Sequence, residues 1–495
     1  MFLLLIGTDP DVSQKVFEDI RSLDPEGKQG IIAANALARI AFRKKDYEAA
    51  RELAASVLAV EPGNAEALII HARLLLRDRA WSNAIVALRS ALNRQPDSRI
   101  IYALLAEAHR NSNDWRLART ALERLVSLAP TDEPARLELV RVLLILGEQE
   151  AAESQLREFS ELVPNSLSTL KVLADMLSRQ GRSEEVKSIA NKLLSLDNGK
   201  SVAHAALGRL YLQNDQYDDA LANFQIAWSL EPPSETYFRG VVNALIAKKE
   251  FKEGLRAVDV FLARSPENAR AYSLRSVLYL KLGLPDQAHT ALRRAIEIKP
   301  EWKKPYLQLG STLLSQQNTS DEAISVLRKG YIATGSNEDV GMLLGAAQIR
   351  TNDMSGAIQT YEAILERNPN NLIAANNFAS SIADFYPNDR TWLDRALKAT
   401  ETFQASTQAP FLDTLGRVHY RLGNIKKAVS YLEQATNKAP KSDEIKIHLA
   451  SAYIKDGQIS LARENLQTVV KRSKNPATKQ SARKLLDTLV STRRG

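Results

Sequence analysis

Proline recurs at a fixed interval through much of the chain, and no other feature restricts the possible fold as strongly. Multiples of 34 residues separate Pro62, Pro96, Pro130, Pro164, Pro232, Pro266 and Pro300. Asn198 occupies the one missing place. The residue twelve places before each of these sites usually has a small side chain. These residues are Ala50, Ala84, Ala118, Ala152, Val186, Ala220, Gly254 and Ala288. Such an interval is the signature of one supersecondary unit repeated along the chain. It predicts nine consecutive repeats that begin at 31, 65, 99, 133, 167, 201, 235, 269 and 303.

Each repeat carries two apolar patterns at helical spacing, separated by a short polar break. In the repeat at 201–232, the first pattern comprises His204, Leu207, Gly208 and Tyr211. The second comprises Tyr217, Ala220, Leu221, Phe224 and Ala227, and Pro232 follows it. Apolar residues at this spacing share one face of a helix, and proline ends helices. Each repeat is therefore predicted to be a helical hairpin. A lone amphipathic hairpin cannot bury its apolar face, so the hairpins must stack on one another.

The residues at these positions resemble the pattern of the tetratricopeptide repeat family. That pattern is Leu-Gly, Tyr, Ala, a large apolar residue, Ala and Pro, found here as Leu207, Gly208, Tyr211, Ala220, Phe224, Ala227 and Pro232. Another copy comprises Leu415, Gly416, Ala428, Leu432, Ala435 and Pro440. The resemblance covers nearly the whole chain. It implies an all-α fold, a right-handed α-solenoid (superhelix) of about 13 helix-turn-helix units with a C-terminal capping helix.

The repeat pattern divides the chain into four predicted regions. Residues 1–30 are a partial repeat or cap, residues 31–336 are nine regular units, and residues 337–476 are four further units. The unit at 372–408 is irregular, and its second helix is predicted to contain Ala396 and Phe403. Residues 477–495 are predicted to be a basic capping helix and tail. Phe2–Ile6 resemble the last turns of a first helix, which indicates a trimmed chain, with a native half-repeat cap as the alternative.

Composition and charge exclude several classes of protein. The chain has no cysteine, which rules out disulfides, thiolate zinc sites, iron–sulfur clusters and cysteine nucleophiles. The net charge is +8, but residues 471–495 carry +7 of it. The rest of the chain, residues 1–470, is nearly neutral and does not have the charge of a nucleic-acid-binding surface. The basic end is therefore predicted to be a solvated helix rather than a polyanion-binding arm. No apolar run reaches the roughly 18 residues of a membrane span, so this chain is not expected to cross a membrane.

The chain lacks the motifs that carry catalysis. It has no Gly-rich phosphate loop, no dinucleotide fingerprint, no His-Glu-x-x-His helix and no Gly-x-Ser-x-Gly elbow. The histidines are scattered, and His71, His109, His204 and His419 lie at or near packing positions of predicted first helices. No enzyme activity, catalytic residue, cofactor or metal site is therefore predicted.

A basic ladder is predicted on the first helices, which line the concave face of tetratricopeptide arrays. Basic residues recur at the ninth and thirteenth positions of the repeats, one helical turn apart and so on one face. The ladder comprises Arg39, Arg43, Arg73, Arg77, Arg141, Arg179, Arg209, Arg417 and Arg421. Guanidinium groups suit carboxylates, so the ladder is a candidate site for an acidic peptide or an acidic polysaccharide. The alternative is that these arginines bridge to acids of neighbouring repeats, because Glu107 and Asp175 occupy the ninth position of other units.

The predicted function is a non-catalytic scaffold that binds a protein partner or an extended peptide. The segment that begins at Asn376 resembles repeats of bacterial envelope proteins tied to exopolysaccharide export. That resemblance implies a role in exopolysaccharide secretion or envelope assembly, and it favours the periplasm or a membrane-associated location over the cytoplasm. A cytosolic adaptor and the recognition arm of a larger enzyme, such as a glycosyltransferase, remain alternatives. A chaperone-tail clamp built on Asn35 and Arg39 is disfavoured, because Ile70 stands where its middle asparagine belongs.

Overall fold

The chain is entirely helical over the residues that the computed structural model describes, which are residues 10–491. The helix turns predicted at Phe2–Ile6 lie outside the described residues. Within residues 10–491 there are 28 α-helices, one short 3-10 helix and no strand. The all-α repeat fold predicted from the sequence is confirmed. The helices divide into two compact units, which meet in sequence between Lys249 and Glu250.

The described part of the first unit contains fourteen helices. In chain order these are α1 (Pro10–Leu23), α2 (Lys28–Arg43), α3 (Tyr47–Val60), α4 (Ala65–Arg77), α5 (Trp81–Leu92), α6 (Arg99–Asn111), α7 (Trp115–Leu128), α8 (Glu133–Ile145), α9 (Gln149–Leu162), α10 (Leu167–Arg179), α11 (Ser183–Leu194), α12 (Lys200–Gln213), α13 (Tyr217–Leu230) and α14 (Glu235–Ala247). From α2 onward, each even-numbered helix is the first helix of a repeat, and the helices from α1 to α14 pack against one another in sequence order within the unit. Some first helices also contact the first helix of the next repeat, as α2 contacts α4.

The described part of the second unit also contains fourteen α-helices. In chain order these are α15 (Phe251–Arg264), α16 (Ala269–Lys281), α17 (Pro285–Ile298), α18 (Lys303–Ser315), α19 (Ser320–Ala333), α20 (Glu338–Arg350), α21 (Met354–Arg367), α22 (Leu372–Phe385), α23 (Arg390–Ala399), α24 (Ala409–Arg421), α25 (Ile425–Lys438), α26 (Asp443–Lys455), α27 (Ile459–Arg472) and α28 (Pro476–Ser491). The hairpins α16/α17 to α26/α27 again pack in sequence order, and α28 packs against α27 and α26.

Small side chains let the helices approach one another closely. At the twentieth repeat position in the first unit, no surface is exposed on Ala50, Ala84, Ala118, Ala152, Val186 and Ala220. In the second unit no surface is exposed on Ala288, Ala357, Ala428 and Ala462 at the same position, or on Ala323 and Ala396, which follow longer turns in their repeats. The larger apolar residues around them form the core of each unit. The recurrence of alanine in the sequence therefore reflects where second helices are covered by their neighbours.

The irregular repeat ends differently from the prediction. Helix α23 stops at Ala399, and Phe403 lies in a 3-10 helix, Glu401–Ala405, instead of in the second helix. The hydroxyl of the fully buried Thr400 donates to the carbonyl oxygens of Ala396 and Leu397, both at 3.0 Å. Hydroxyl bonds of this kind compete with the helix ladder. The prediction for Phe403 is therefore wrong, and its ring, outside the second helix, stacks on Phe411 with centroids 4.7 Å apart.

Candidate functional site

A groove opens between α1, α2 and α4 in the first unit. Its volume is about 540 Å³, which is within the usual range for ligand pockets. Phe17 of α1 and Ile31 of α2 form part of its apolar lining, and both are buried. Asn35 and Arg39 of α2 and Glu66 of α4 supply polar and charged groups. We call this cavity the first-helix groove, and its mixed lining suits a ligand with both apolar and polar parts.

Asn35 is the most constrained polar residue of the first-helix groove. It is 3% exposed, and its Nδ2 donates to Asn64 Oδ1 at 3.0 Å. Asn64 caps the N-terminus of α4, since the same Oδ1 accepts from the backbone N–H of Ala67 at 3.1 Å. Asn35 Oδ1 is buried and has no hydrogen-bond partner within residues 10–491. A buried acceptor without a partner costs about 1–3 kcal/mol, which a ligand N–H or O–H would recover.

The charges at the groove are only weakly compensated. Arg39 Nη1 lies 3.9 Å from Glu66 Oε1, and both side chains are about half exposed, at 52% and 47%. An exposed pair at this distance contributes little to stability. Lys28 is exposed and makes no ion pair among the described residues. Both cations at the groove therefore remain available to an anionic group.

Two arginines of α4 are held against aromatic rings of the preceding repeat. The guanidinium carbon of Arg77 lies 3.9 Å from the ring centroid of Tyr47, and that of Arg73 lies 5.9 Å from Phe42. The two rings meet edge to face, with centroids 5.6 Å apart. A guanidinium over a ring face is oriented by the ring quadrupole. Arg77 also pairs with the exposed Asp78 at 3.0 Å, whereas Arg73 makes no ion pair in the described part of the chain.

The other predicted ladder residues fall into two groups. Three of them form ion pairs, with an acid either on the preceding first helix or on their own helix. Arg209 pairs with Asp175 and Arg417 with Asp384, both across adjacent repeats, while Arg141 pairs with Glu138 on its own helix. Arg421 Nε donates to the carbonyl oxygen of Ala383 at 2.9 Å. Arg43 and Arg179 are exposed and have no ion pair among residues 10–491. Ligand binding by the ladder stays a prediction.

Within residues 10–491, no group of three or more histidine and carboxylate side chains is arranged to hold a metal ion. His448 Nδ1 lies 2.8 Å from Asp413 Oδ1, but no described hydroxyl group hydrogen-bonds to this histidine. A histidine–carboxylate pair needs a nucleophile to act in covalent catalysis. Burial lowers the pKa of His71 and His109 below the usual value, so both are neutral side chains at neutral pH.

None of the helices within residues 10–491 combines the length and the apolar character that crossing a bilayer requires.

The arginines of α4 were predicted from the sequence, but the aromatic rings that orient them were not. Tyr47 begins the second helix of one repeat, and Arg77 ends the first helix of the next. The signal was present, because an aromatic residue recurs at the seventeenth repeat position and a basic residue at the thirteenth. The unpartnered acceptor of Asn35 was not predictable, since it depends on the position of Asn64 in the folded chain.

Models of the tetratricopeptide repeat match this chain along most of its length. They cover residues 41–108, 103–166, 242–301, 339–371 and 419–486. Together these segments amount to more than half of the chain, and they include parts of both compact units.

Proteins of several kinds share the repeat. Protein O-mannosyl-transferase TMTC1 of Homo sapiens is 26% identical over 186 residues, which is 36% of this chain and 21% of that protein. A TPR repeat-containing protein of Pseudomonas aeruginosa is 25% identical, over 41% of this chain and 34% of its own length. Cellulose synthase operon protein C of Pseudomonas fluorescens is 23% identical, over 61% of this chain and 22% of its own length. This chain thus spans about a third or less of these relatives.

A similar solved structure is the APC/C hetero-tetramer Cut9-Hcn1. The matched chain is 12% identical, and the match covers 96% of this chain and 93% of that chain with a TM-score of 0.43.

Proposed function

Because this chain belongs to the tetratricopeptide repeat family, we propose that it is a non-catalytic scaffold that binds a protein partner on the first helices of its first unit. Stacked hairpins of this kind are extended binding surfaces, and the fold is typical of non-catalytic scaffolds. The observation that carries the proposal is the first-helix groove, whose lining includes Asn35, a buried residue with an unpartnered Oδ1.

The proposed partner segment is an extended peptide that carries acidic side chains. A backbone N–H of such a peptide satisfies Asn35 Oδ1, and its carboxylates lie near the exposed Arg43 and the oriented Arg73 and Arg77. Charge-assisted bonds between guanidinium and carboxylate are about twice as strong as neutral ones. Because the rings already orient two of these arginines, less side-chain entropy is lost on binding.

Charge reversal at the oriented arginines tests this proposal. Fluorescence anisotropy would measure the affinity of the full chain for a labelled peptide of about ten residues in which glutamate and alanine alternate. The double variant Arg73→Glu and Arg77→Glu is expected to bind at least about tenfold more weakly, because both contacts become repulsive. Lys252→Glu with Lys329→Glu is the matched control, since both lysines are exposed, have no ion pair among the described residues and lie in the second unit.

Two results of the anisotropy experiment would contradict the proposal. An affinity that the double variant leaves unchanged, or that the control lowers equally, would remove the acidic-peptide assignment. Asn35→Leu gives a second check that leaves every charge in place: it removes the unpartnered acceptor and is expected to weaken the same peptide. Circular dichroism of each variant checks that the helices are retained.

We further propose that the scaffold serves bacterial exopolysaccharide secretion or envelope assembly. The match to cellulose synthase operon protein C supports this assignment. If it holds, a polyuronate chain competes with the acidic peptide for Arg73 and Arg77, because both ligands present carboxylates to guanidinium groups. Peptide binding that excess polyuronate does not displace would argue against a polysaccharide ligand at this site.

A second candidate is the recognition arm of a larger enzyme. The match to an O-mannosyl-transferase, of which this chain spans 21%, favours it. The mass of the protein isolated from its own cells distinguishes a separate scaffold from the recognition arm of a larger enzyme. A species near 54.9 kDa favours a separate scaffold, and a larger species with a transferase sequence favours the arm.

A further inference from the structure

Five cations at the end of the second unit make no ion pair within residues 10–491. They are Lys471, Lys474, Lys479, Arg483 and Lys484, and all but the half-buried Lys479 are exposed. We call this group the basic patch. It contains most of the charge of residues 471–495, a segment that carries +7 of the net charge of +8.

Helix α28 carries Lys479, Arg483 and Lys484 of the basic patch on its outer side, because its other side is used for packing, while Lys471 lies on α27 and Lys474 in the segment between the two helices. Ala482 is fully buried and Leu489 is 5% exposed, and both belong to a core cluster with Val469 of α27. Lys479 and Arg483 are one turn apart and share a face of α28. Since the apolar side is already covered within the unit, contact through this helix is electrostatic and involves no insertion of apolar side chains.

The neighbouring Arg472 shows what a structural cation looks like in this segment. Its guanidinium donates to the carbonyl oxygens of Pro440 at 3.2 Å and Lys441 at 2.8 Å, and it pairs with Asp443 at 2.7 Å. Arg472 thereby joins the end of α27 to the start of α26. No such bond within residues 10–491 accounts for the five cations of the basic patch, which leaves them free for a partner.

The composition of the basic patch favours phosphate groups on a surface. Four of its five members are lysines, which act as compact point charges without the planar fork that suits carboxylates. It contains no aromatic side chain on which nucleotide bases stack. Clusters of about four to eight basic residues are typical of anionic lipid recognition, and the five cations here come from the end of α27, the connecting segment and the amphipathic helix α28. We propose that the basic patch docks the protein on an anionic lipid surface.

Vesicle binding tests this inference with the full-length protein. The probe is a phosphatidylcholine vesicle with about 30% phosphatidylserine, compared with pure phosphatidylcholine. Co-sedimentation is expected with the anionic vesicle only. The triple variant Lys479→Glu, Arg483→Glu and Lys484→Glu is expected to lose about 100-fold or more in affinity. The control is Lys252→Glu, Lys329→Glu and Lys398→Glu, which changes the net charge equally at exposed sites elsewhere in the second unit.

Four results would overturn the inference: equal binding to neutral vesicles, full binding by the triple variant, retention on anionic vesicles at high salt, or tighter binding to duplex DNA than to anionic vesicles at the same salt. The last would assign the basic patch to nucleic acid. Raising salt from about 0.1 M to about 0.5 M should release the unmodified protein, because exposed charges are then screened. Retention at high salt would contradict the inference even if the triple variant failed to fold. This inference does not rest on the acidic-peptide proposal, whose variants lie in the first unit.

Discussion

Arg136 illustrates how single residues hold a repeat together. It is 2% exposed, and its guanidinium donates to Gln155 Oε1 at 3.1 Å and to the carbonyl oxygen of Pro130 at 3.3 Å. It also pairs with Glu158 at 3.1 Å and lies 5.5 Å from the ring centroid of Phe159. A buried charge is tolerated where it is paired and hydrogen-bonded. Arg136 therefore joins the segment before α8 to the second helix α9.

We expect Arg136→Ala to lower the free energy of unfolding by about 2–4 kcal/mol, because it removes a buried side chain and leaves the hydrogen-bond acceptors of that side chain without a donor. Arg141→Ala is the matched control on the same helix, because Arg141 is 55% exposed and pairs only with Glu138. The control should cost less than about 0.5 kcal/mol. Urea denaturation of both variants measures the difference. Similar losses in the two would show that burial of Arg136 contributes nothing to stability.

At the scale of residues, the sequence predicts the helix on which a residue lies better than it predicts the residue with which its side chain pairs. The ninth- and thirteenth-position arginines were correctly placed on first helices, because the 34-residue interval assigns every residue to an element. Their partners were not predictable: Arg209 reaches Asp175, whereas Arg43 reaches no acid among residues 10–491. Arg136 occupies the fourth repeat position, which holds the buried Leu68, Leu170 and Phe238 in other repeats, so the pattern marks the position as buried but does not indicate that a paired charge occupies it.

At the scale of elements, the eighth-position glycine sets the distance between the helices of a hairpin. A Cβ on Gly416 of α24 would lie 2.6 Å from Leu432 Cγ of α25, closer than carbon atoms approach. Leu432 is 1% exposed and has little room to move. The glycine is therefore required by packing, and this explains why Leu-Gly recurs in the sequence.

We expect Gly416→Ala to destabilise the protein by about 1–3 kcal/mol, because the added methyl group overpacks the hairpin. In an open helix the same change is stabilising by about 1 kcal/mol. The double variant provides the control: with Leu432→Ala already present, Gly416→Ala should be neutral or stabilising. Urea denaturation of the unmodified protein, the two single variants and the double variant gives the four free energies of unfolding that the comparison needs. An equal penalty in both backgrounds would show that contact with Leu432 is not the cause.

Helix order could be predicted from the sequence, but several helix ends could not. The turn between the two helices of a hairpin places one residue at positive φ, for example Gly147 at 79° and Lys45 at 64°. Glycine marks this position in some repeats only, so the sequence pattern does not reveal it in all of them. The early end of α23 depends on the buried hydroxyl of Thr400, which is also invisible in the repeat pattern.

At the scale of the whole molecule, each unit buries its core through contacts between neighbouring hairpins. The prediction of an all-α repeat array holds because every hairpin needs a neighbour to cover its apolar face. The division between Lys249 and Glu250 was not predicted, since the repeat that begins at 235 keeps both Gly254 and Pro266. The first-helix groove beside Asn35 was not predicted from the sequence, because it arises from the packing of α1, α2 and α4.

Amide hydrogen exchange of the full chain, with and without the acidic peptide, tests the central claim most directly. That claim is that the first helices of the first unit bind the partner. The account predicts slower exchange on binding in α2 and α4, residues 28–43 and 65–77. Protection confined to second helices or to the second unit, or no protection at peptide saturation, would contradict it.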